Sequence, residues 1–196
     1  MRVVAVRGLM TGRAGTLCAV VLVLAGLTGC GTSTKGAPTT AAPSSAASAA
    51  TSSANPDAAL WNPCDLPDSA ISAVGLNPST KTKDIADTHF DGWKICSWRS
   101  SARWYTLGIL SGTPSLDDVQ RRTDYEEFKP RTVGTHRAIE FLDVGDRDRL
   151  NCGLAVEIPH GSALFRVLTR YEIGKKGDPC AELSRSVDDL AKYLPS

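Results

Sequence analysis

Near the C-terminus, apolar side chains fall at Cys180, Leu183, Val187, Leu190, Ala191 and Leu194. That spacing draws one stripe along a helix, with Glu182, Arg185, Asp188, Asp189 and Lys192 on the other side. Asp178 ahead of Pro179 offers an N-cap, and Pro195 a stop. Upstream the period changes to two. Cys152, Leu154, Val156 and Ile158 alternate with Gly153, Ala155 and Glu157, the pattern of a half-buried strand. Residues 93–98 and 104–110 predict a strand pair around a turn at 100–103, and residues 135–142 and 164–169 predict two more strands. His160-Gly161-Ser162 lies where the last two strands would turn. Residues 67–74 predict a short helix ended by Gly75. Residues 115–128 predict a polar helix, capped by Ser115 with Asp117 and Asp118 in its first turn. The order α-β-β-α-β-β-β-α predicts an α+β two-layer sandwich. Its antiparallel sheet would have about five strands, with helices on one face.

The first sixty residues follow another pattern. Arg2, Arg7 and Arg13 precede or flank an apolar run over residues 14–27, which ends in Leu27-Thr28-Gly29-Cys30. Fourteen helical residues span about 21 Å, short of the roughly 30 Å hydrocarbon core. The run therefore reads as a cleaved leader rather than a membrane span. Leucine, two small residues and cysteine are what lipoprotein processing requires. The thiol of Cys30 would take a diacylglycerol, and Cys30 would become the first residue. Without paired arginines in the leader, the expected route is ordinary Sec export. Residues 31–59 are almost all Ala, Ser, Thr, Pro and Gly. With no large apolar side chain to bury, nothing offsets the entropy of ordering them. Such a coil spans roughly 30 Å, and its Ser/Thr/Pro content also suits O-glycosylation. Three segments are thus expected: residues 1–29, a signal peptide; residues 30–59, a lipidated cysteine and linker; and residues 60–196, one disulfide-stapled domain.

Charge narrows the partners. Lysine and arginine number 22 against 21 acidic residues, a net charge of +1. Loss of the leader removes three arginines and leaves the chain near neutral. A nucleic-acid binder needs a basic field to draw phosphate, so the balance argues against that class and against a polybasic membrane-surface module.

The chain has six cysteines. Cys18 lies in the leader and Cys30 is the acylation site. Cys64, Cys96, Cys152 and Cys180 remain, an even set in an exported domain, which reads as two disulfides. No pair has the C-x₂₋₄-C spacing of a zinc site, so no metal is expected. Asn62-Pro63-Cys64 and Asp178-Pro179-Cys180 are alike, each a capping side chain, Pro and Cys. The likeness favours Cys64–Cys180, with Cys96–Cys152 between strands. Cys64–Cys96 with Cys152–Cys180 is the competing pairing.

Asn-Pro-Cys-Asp-Leu at 62–66, Ala-Val-Gly-Leu at 73–76, Cys-Ser-Trp at 96–98, Val-Gly-Thr-His-Arg-Ala at 133–138, Cys-Gly-Leu-Ala-Val-Glu at 152–157 and Asp-Pro-Cys at 178–180 stand in order along the domain. The set, with the lipobox, resembles the actinobacterial lipoproteins of domain-of-unknown-function family 3558. Val133-Gly134-Thr135 departs from the pattern where a second glycine is expected. The resemblance implies export and a small α+β domain. It implies no known reaction, so it carries over no catalytic residue.

Few side chains invite chemistry. His89, His136 and His160 are the only histidines, and neither a G-x-S-x-G elbow nor an H-E-x-x-H accompanies them. Asp143, Asp146 and Asp148 alternate with Arg147 and Arg149, yet lack the Gly and Glu of a calcium loop. Residues 117–131 mix both charge signs, as a solvated face does. Trp61, Trp93, Trp98 and Trp104 are expected mainly in the core. The expectation is a non-enzymatic module, monomeric and without a cofactor. It would be held by its lipid on the extracytoplasmic face of the cell membrane, where it binds an envelope protein or a small-molecule ligand. The alternative is a small envelope hydrolase using one of the three histidines.

Overall fold

A computed structural model describes residues 57–196. The leader, Cys30 and the linker up to residue 56 lie outside the described residues. Asp57 and Leu60 are already buried, so ordered packing begins where composition still reads as linker.

The described chain runs through helix α1 (Asp68–Ala73), strands β1 (Thr82–Lys83), β2 (Trp93–Arg99) and β3 (Tyr105–Gly112), and helix α2 (Leu116–Gln120). Strands β4 (Tyr125–Val133), β5 (His136–Asp143), β6 (Asn151–Ile158) and β7 (Gly161–Thr169) follow, and helix α3 (Pro179–Leu190) closes the order. All seven strands join one sheet in the order β1-β2-β3-β7-β6-β5-β4, and every neighbouring pair is antiparallel.

The sheet is larger than the five strands expected, for two reasons. β1 has two exposed residues and no apolar pattern to reveal it. β4 lies inside the segment read as a long helix. Only Leu116–Gln120 is helical there, held by a capping box in which Ser115 Oγ accepts from the Asp118 amide and Asp118 accepts from the Ser115 amide. The chain then turns into an edge strand whose polar residues mask its period, with an irregular register between Glu126 and Lys129.

Pleating sorts side chains onto two faces. On one, Cys152, Leu154 and Val156 of β6 meet Phe165 and Val167 of β7, beneath Ile71 and Val74 of the α1 region and Leu183, Val187 and Leu190 of α3. On the other, Ala155 and Leu164 meet Ile139 and Phe141, under Leu116 and Val119 of α2. Helices therefore cover both faces, not one. The connection from β3 to the far edge at β4 has to cross the sheet, and it does so on the face opposite α3.

The disulfides are Cys64–Cys96 and Cys152–Cys180, with Cα separations of 5.2 and 5.1 Å. This corrects the favoured pairing Cys64–Cys180 and Cys96–Cys152. The two Pro-Cys segments are alike because both open helical turns, each with a capping side chain that accepts from the cysteine amide. Each turn is pinned to the strand beside it, Cys64 to β2 and Cys180 to β6. Cys96 and Cys152 both lie on the α3-side face, but β3 and β7 stand between their strands.

Candidate functional site

Helix α2 covers only the β4–β5–β6 end of its face. Toward β2, β3 and the later part of β7 the same face is open, and the residues at its centre, Ser97 and Gly108, are short. Ser97 pairs across to Gly108, and Gly108 to Arg166. Gly108 takes the place of a side chain at the centre of this patch. An added Cβ there would meet nothing closer than 3.9 Å, so the position is roomy rather than crowded. Ile95, Leu110 and Leu168 flank it, and Ile85 from the loop after β1 closes the side. The result is a cleft of about 410 Å3 with a mainly apolar lining. Ile85 and Leu168 are half exposed along its rim.

The rim loop has an unusual backbone. Asp84, Ala86 and Asp87 all have positive φ, at 62°, 50° and 59°. Ile85 and Thr88 exchange two backbone hydrogen bonds around Ala86-Asp87. Positive φ at both central residues marks a tight turn that glycine or asparagine would form at lower cost. The turn presents Ile85 to the cleft.

Arg166 supplies the strongest polar group in the cleft wall. Its Nη2 donates to both carboxylate oxygens of Asp143, at 2.6 and 2.7 Å, and its Nη1 donates to Tyr125 Oη at 3.1 Å. The guanidinium also lies 5.4 Å from the Tyr125 ring and 5.6 Å from the Phe141 ring. These rings are themselves stacked, with centroids 4.1 Å apart. Arg166 Nε is buried and makes no hydrogen bond, leaving one donor unused beside the cleft.

A smaller hollow of about 280 Å3 adjoins and shares Asp84 and Ile95. His89 stands in it between carboxylates. Its Nε2 is 3.0 Å from Asp57 and 3.7 Å from Asp91, and its Nδ1 is 3.6 Å from Asp84. Asp57 also accepts from the Gly92 amide at 2.6 Å. This knot fastens the start of the described chain to the loop over residues 84–92. Among the described residues, no serine, threonine or cysteine lines the hollow.

The other histidines lie elsewhere. His136 Nδ1 is 2.9 Å from the Glu157 carbonyl, and exposed His160 occupies the β6–β7 turn with a φ of 69°. The three are not brought to one site. Glu140 converges with Cys152 and Cys180, but both sulfurs are spent on their disulfide. Asp143 holds Arg166 and Asn151, and Asp146 accepts from the Leu150 and Asn151 amides. These carboxylates organise a turn. Trp98 and Trp104 are buried, and Trp61 and Trp93 are partly so.

Sequence reading missed Gly108, Arg166 and the loop at 84–86. A signal existed for two of them. A glycine inside a strand marks close approach or open space, and an arginine amid Ala163-Leu164-Phe165 and Val167-Leu168 sits oddly in an apolar strand.

The sequence model of one family, described as “Protein of unknown function (DUF3558)”, matches residues 25–192. No curated protein and no solved structure matches the chain.

Proposed function

The chain belongs to the DUF3558 family, and from that premise we propose that it is an exported lipoprotein, acylated at Cys30. Its domain binds a small molecule with an apolar body on the outer face of the plasma membrane, without catalysis. The single observation that carries this reading is the uncovered cleft on the sheet. Binding sites are concave, mainly apolar and a few hundred Å3 in volume, with a small number of placed polar groups. The cleft has this volume, apolar walls at Ile85, Ile95, Leu110 and Leu168, and Arg166 at one side. Two disulfides and a seven-stranded sheet hold it in shape, so little ordering cost falls on binding.

The hydrolase reading draws only on His89 and its carboxylates. A general base needs a nucleophile within hydrogen-bond reach, and the described residues lining that hollow include no hydroxyl or thiol.

The test is titration of the full-length chain with an environment-sensitive alkyl fluorophore, beside its Gly108→Val variant. Valine suits a strand, and its methyl groups would occupy the roomy floor of the cleft. Saturable binding by the wild type and a loss of about tenfold or more in the variant, with an unchanged melting temperature, is the expected outcome. Equal binding by the two chains counts against the reading.

A further inference from the structure

A second cleft, of about 420 Å3, opens at the β2–β3 turn and has the opposite character. Arg99 ends β2, Arg103 lies in the turn, and Arg170 follows β7. Asn77, Thr80, Ser100 and Ser101 complete the polar wall, and among the described residues no Asp or Glu lines it. Seven other arginines of the described chain each have a carboxylate within 3.4 Å. Arg99 and Arg103 have no carboxylate and no side-chain hydrogen bond among the described residues. Arg170 is anchored by donating from Nη1 to the Arg103 carbonyl at 3.1 Å. Its Nε lies 3.9 Å from exposed Glu172, too far for a hydrogen bond.

Three guanidinium groups share this cleft and only one of them, Arg170, has a carboxylate near it, exposed Glu172. The excess positive charge favours an anion there. Arg103 sharpens the point. Its φ is 68°, a conformation glycine adopts freely and other residues adopt at a cost. The turn is closed by the Arg103 amide donating to Ser100 O at 2.9 Å, so the backbone is fixed with an arginine where glycine would be easier. Planar guanidinium forks match phosphoryl oxygens in pairs, and hydroxyl and amide groups beside them can serve the remaining oxygens.

We infer that this cleft binds a phosphoryl group, as a phosphate monoester or diester. The site does not depend on the apolar cleft, although Arg99 pairs across to Thr106, which lines that cleft. The phosphoryl group has two possible sources, an anionic phospholipid headgroup or a soluble phosphate ester.

The test uses the full-length chain and its Arg99→Gln/Arg103→Gln variant, both residues being exposed. Binding of inorganic phosphate is followed by phosphorus NMR line broadening. Flotation with phosphatidylglycerol vesicles is compared with phosphatidylcholine vesicles. The wild type is expected to broaden the phosphate line, with an affinity at least tenfold above that of the double variant and weakened by salt. Preferential flotation with phosphatidylglycerol that the variant loses assigns a lipid headgroup. Phosphate binding without vesicle preference assigns a soluble ester. No broadening by the wild type, or equal broadening by a variant that melts at the same temperature, overturns the inference.

Discussion

Two glycines on the same sheet face carry opposite burdens. At Gly153 an added Cβ would fall 2.3 Å from the Phe141 ring, and at Gly112 it would fall 2.5 Å from the Trp93 ring. Phe141 is fully buried and stacked on Tyr125, so it cannot yield. Trp93 is only partly buried and can swing outward. Gly153→Ala is therefore expected to cost about 2–3 kcal/mol by overpacking and Gly112→Ala clearly less, as read by urea denaturation. Tyr105 gives a pH signature. Burial raises its pKa to about 12, and the charge of Glu182, to which its hydroxyl donates at 3.3 Å, adds to the shift. The unfolded phenol loses its proton near pH 10 while the folded one keeps it. Its contribution is complete below pH 10 and is lost as pH rises through about 12. Stability should fall across that window, and Tyr105→Phe should flatten the fall. An equal slope in both proteins would remove Tyr105 as its source. At this scale the sequence was informative about caps, Asn62, Ser115 and Asp178, because their partners lie two or three residues away. It marked Arg166 as odd in an apolar strand but could not give its partners, Asp143 and Tyr125, which are distant in the chain.

The elements with alternating apolar residues were legible, and those without were not. β2, β3, β5 and β6 fall within a residue or two of their expected bounds, because apolar residues recur along each with the strand period. α3 begins as expected at Pro179 but ends at Leu190, four residues before the end of its stripe, and the chain continues as a 3-10 turn over Ala191–Tyr193. β7 begins three residues earlier than expected, at Gly161 directly after the tight turn. β4 escaped because it is a sheet edge. It carries charges at Glu126, Glu127, Lys129 and Arg131 and a proline at 130, the residues that keep an edge from pairing with other chains. Its identity comes from β5, to which it pairs, and no local pattern reports that. The disulfide pairing failed for a related reason. Similar Pro-Cys segments share a local geometry, which says nothing about the strand each will meet. With Cys152–Cys180 closing a loop of 28 residues, Cys152→Ser/Cys180→Ser should lower stability by about 3–4 kcal/mol in the chain-entropy account. Peptide mapping without reduction should recover Cys64 joined to Cys96. A peptide joining Cys64 to Cys180 would contradict the fold.

For the molecule as a whole, the antiparallel α+β plan could be read from the sequence, whereas the cleft could not. Its walls come from four strands and a loop that meet only when β7 inserts beside β3. Its openness depends on where α2 stops along the face. The proposed placement at the membrane rests on Cys30 and the leader, and the proposed function on what the open face holds. One measurement reads both. Native mass spectrometry of the protein extracted from its own envelope, beside Gly108→Val, should show a chain beginning at an acylated Cys30. The wild type should carry a small molecule released on activation, and the variant should not. Wild type and variant at the same unliganded mass would contradict the account.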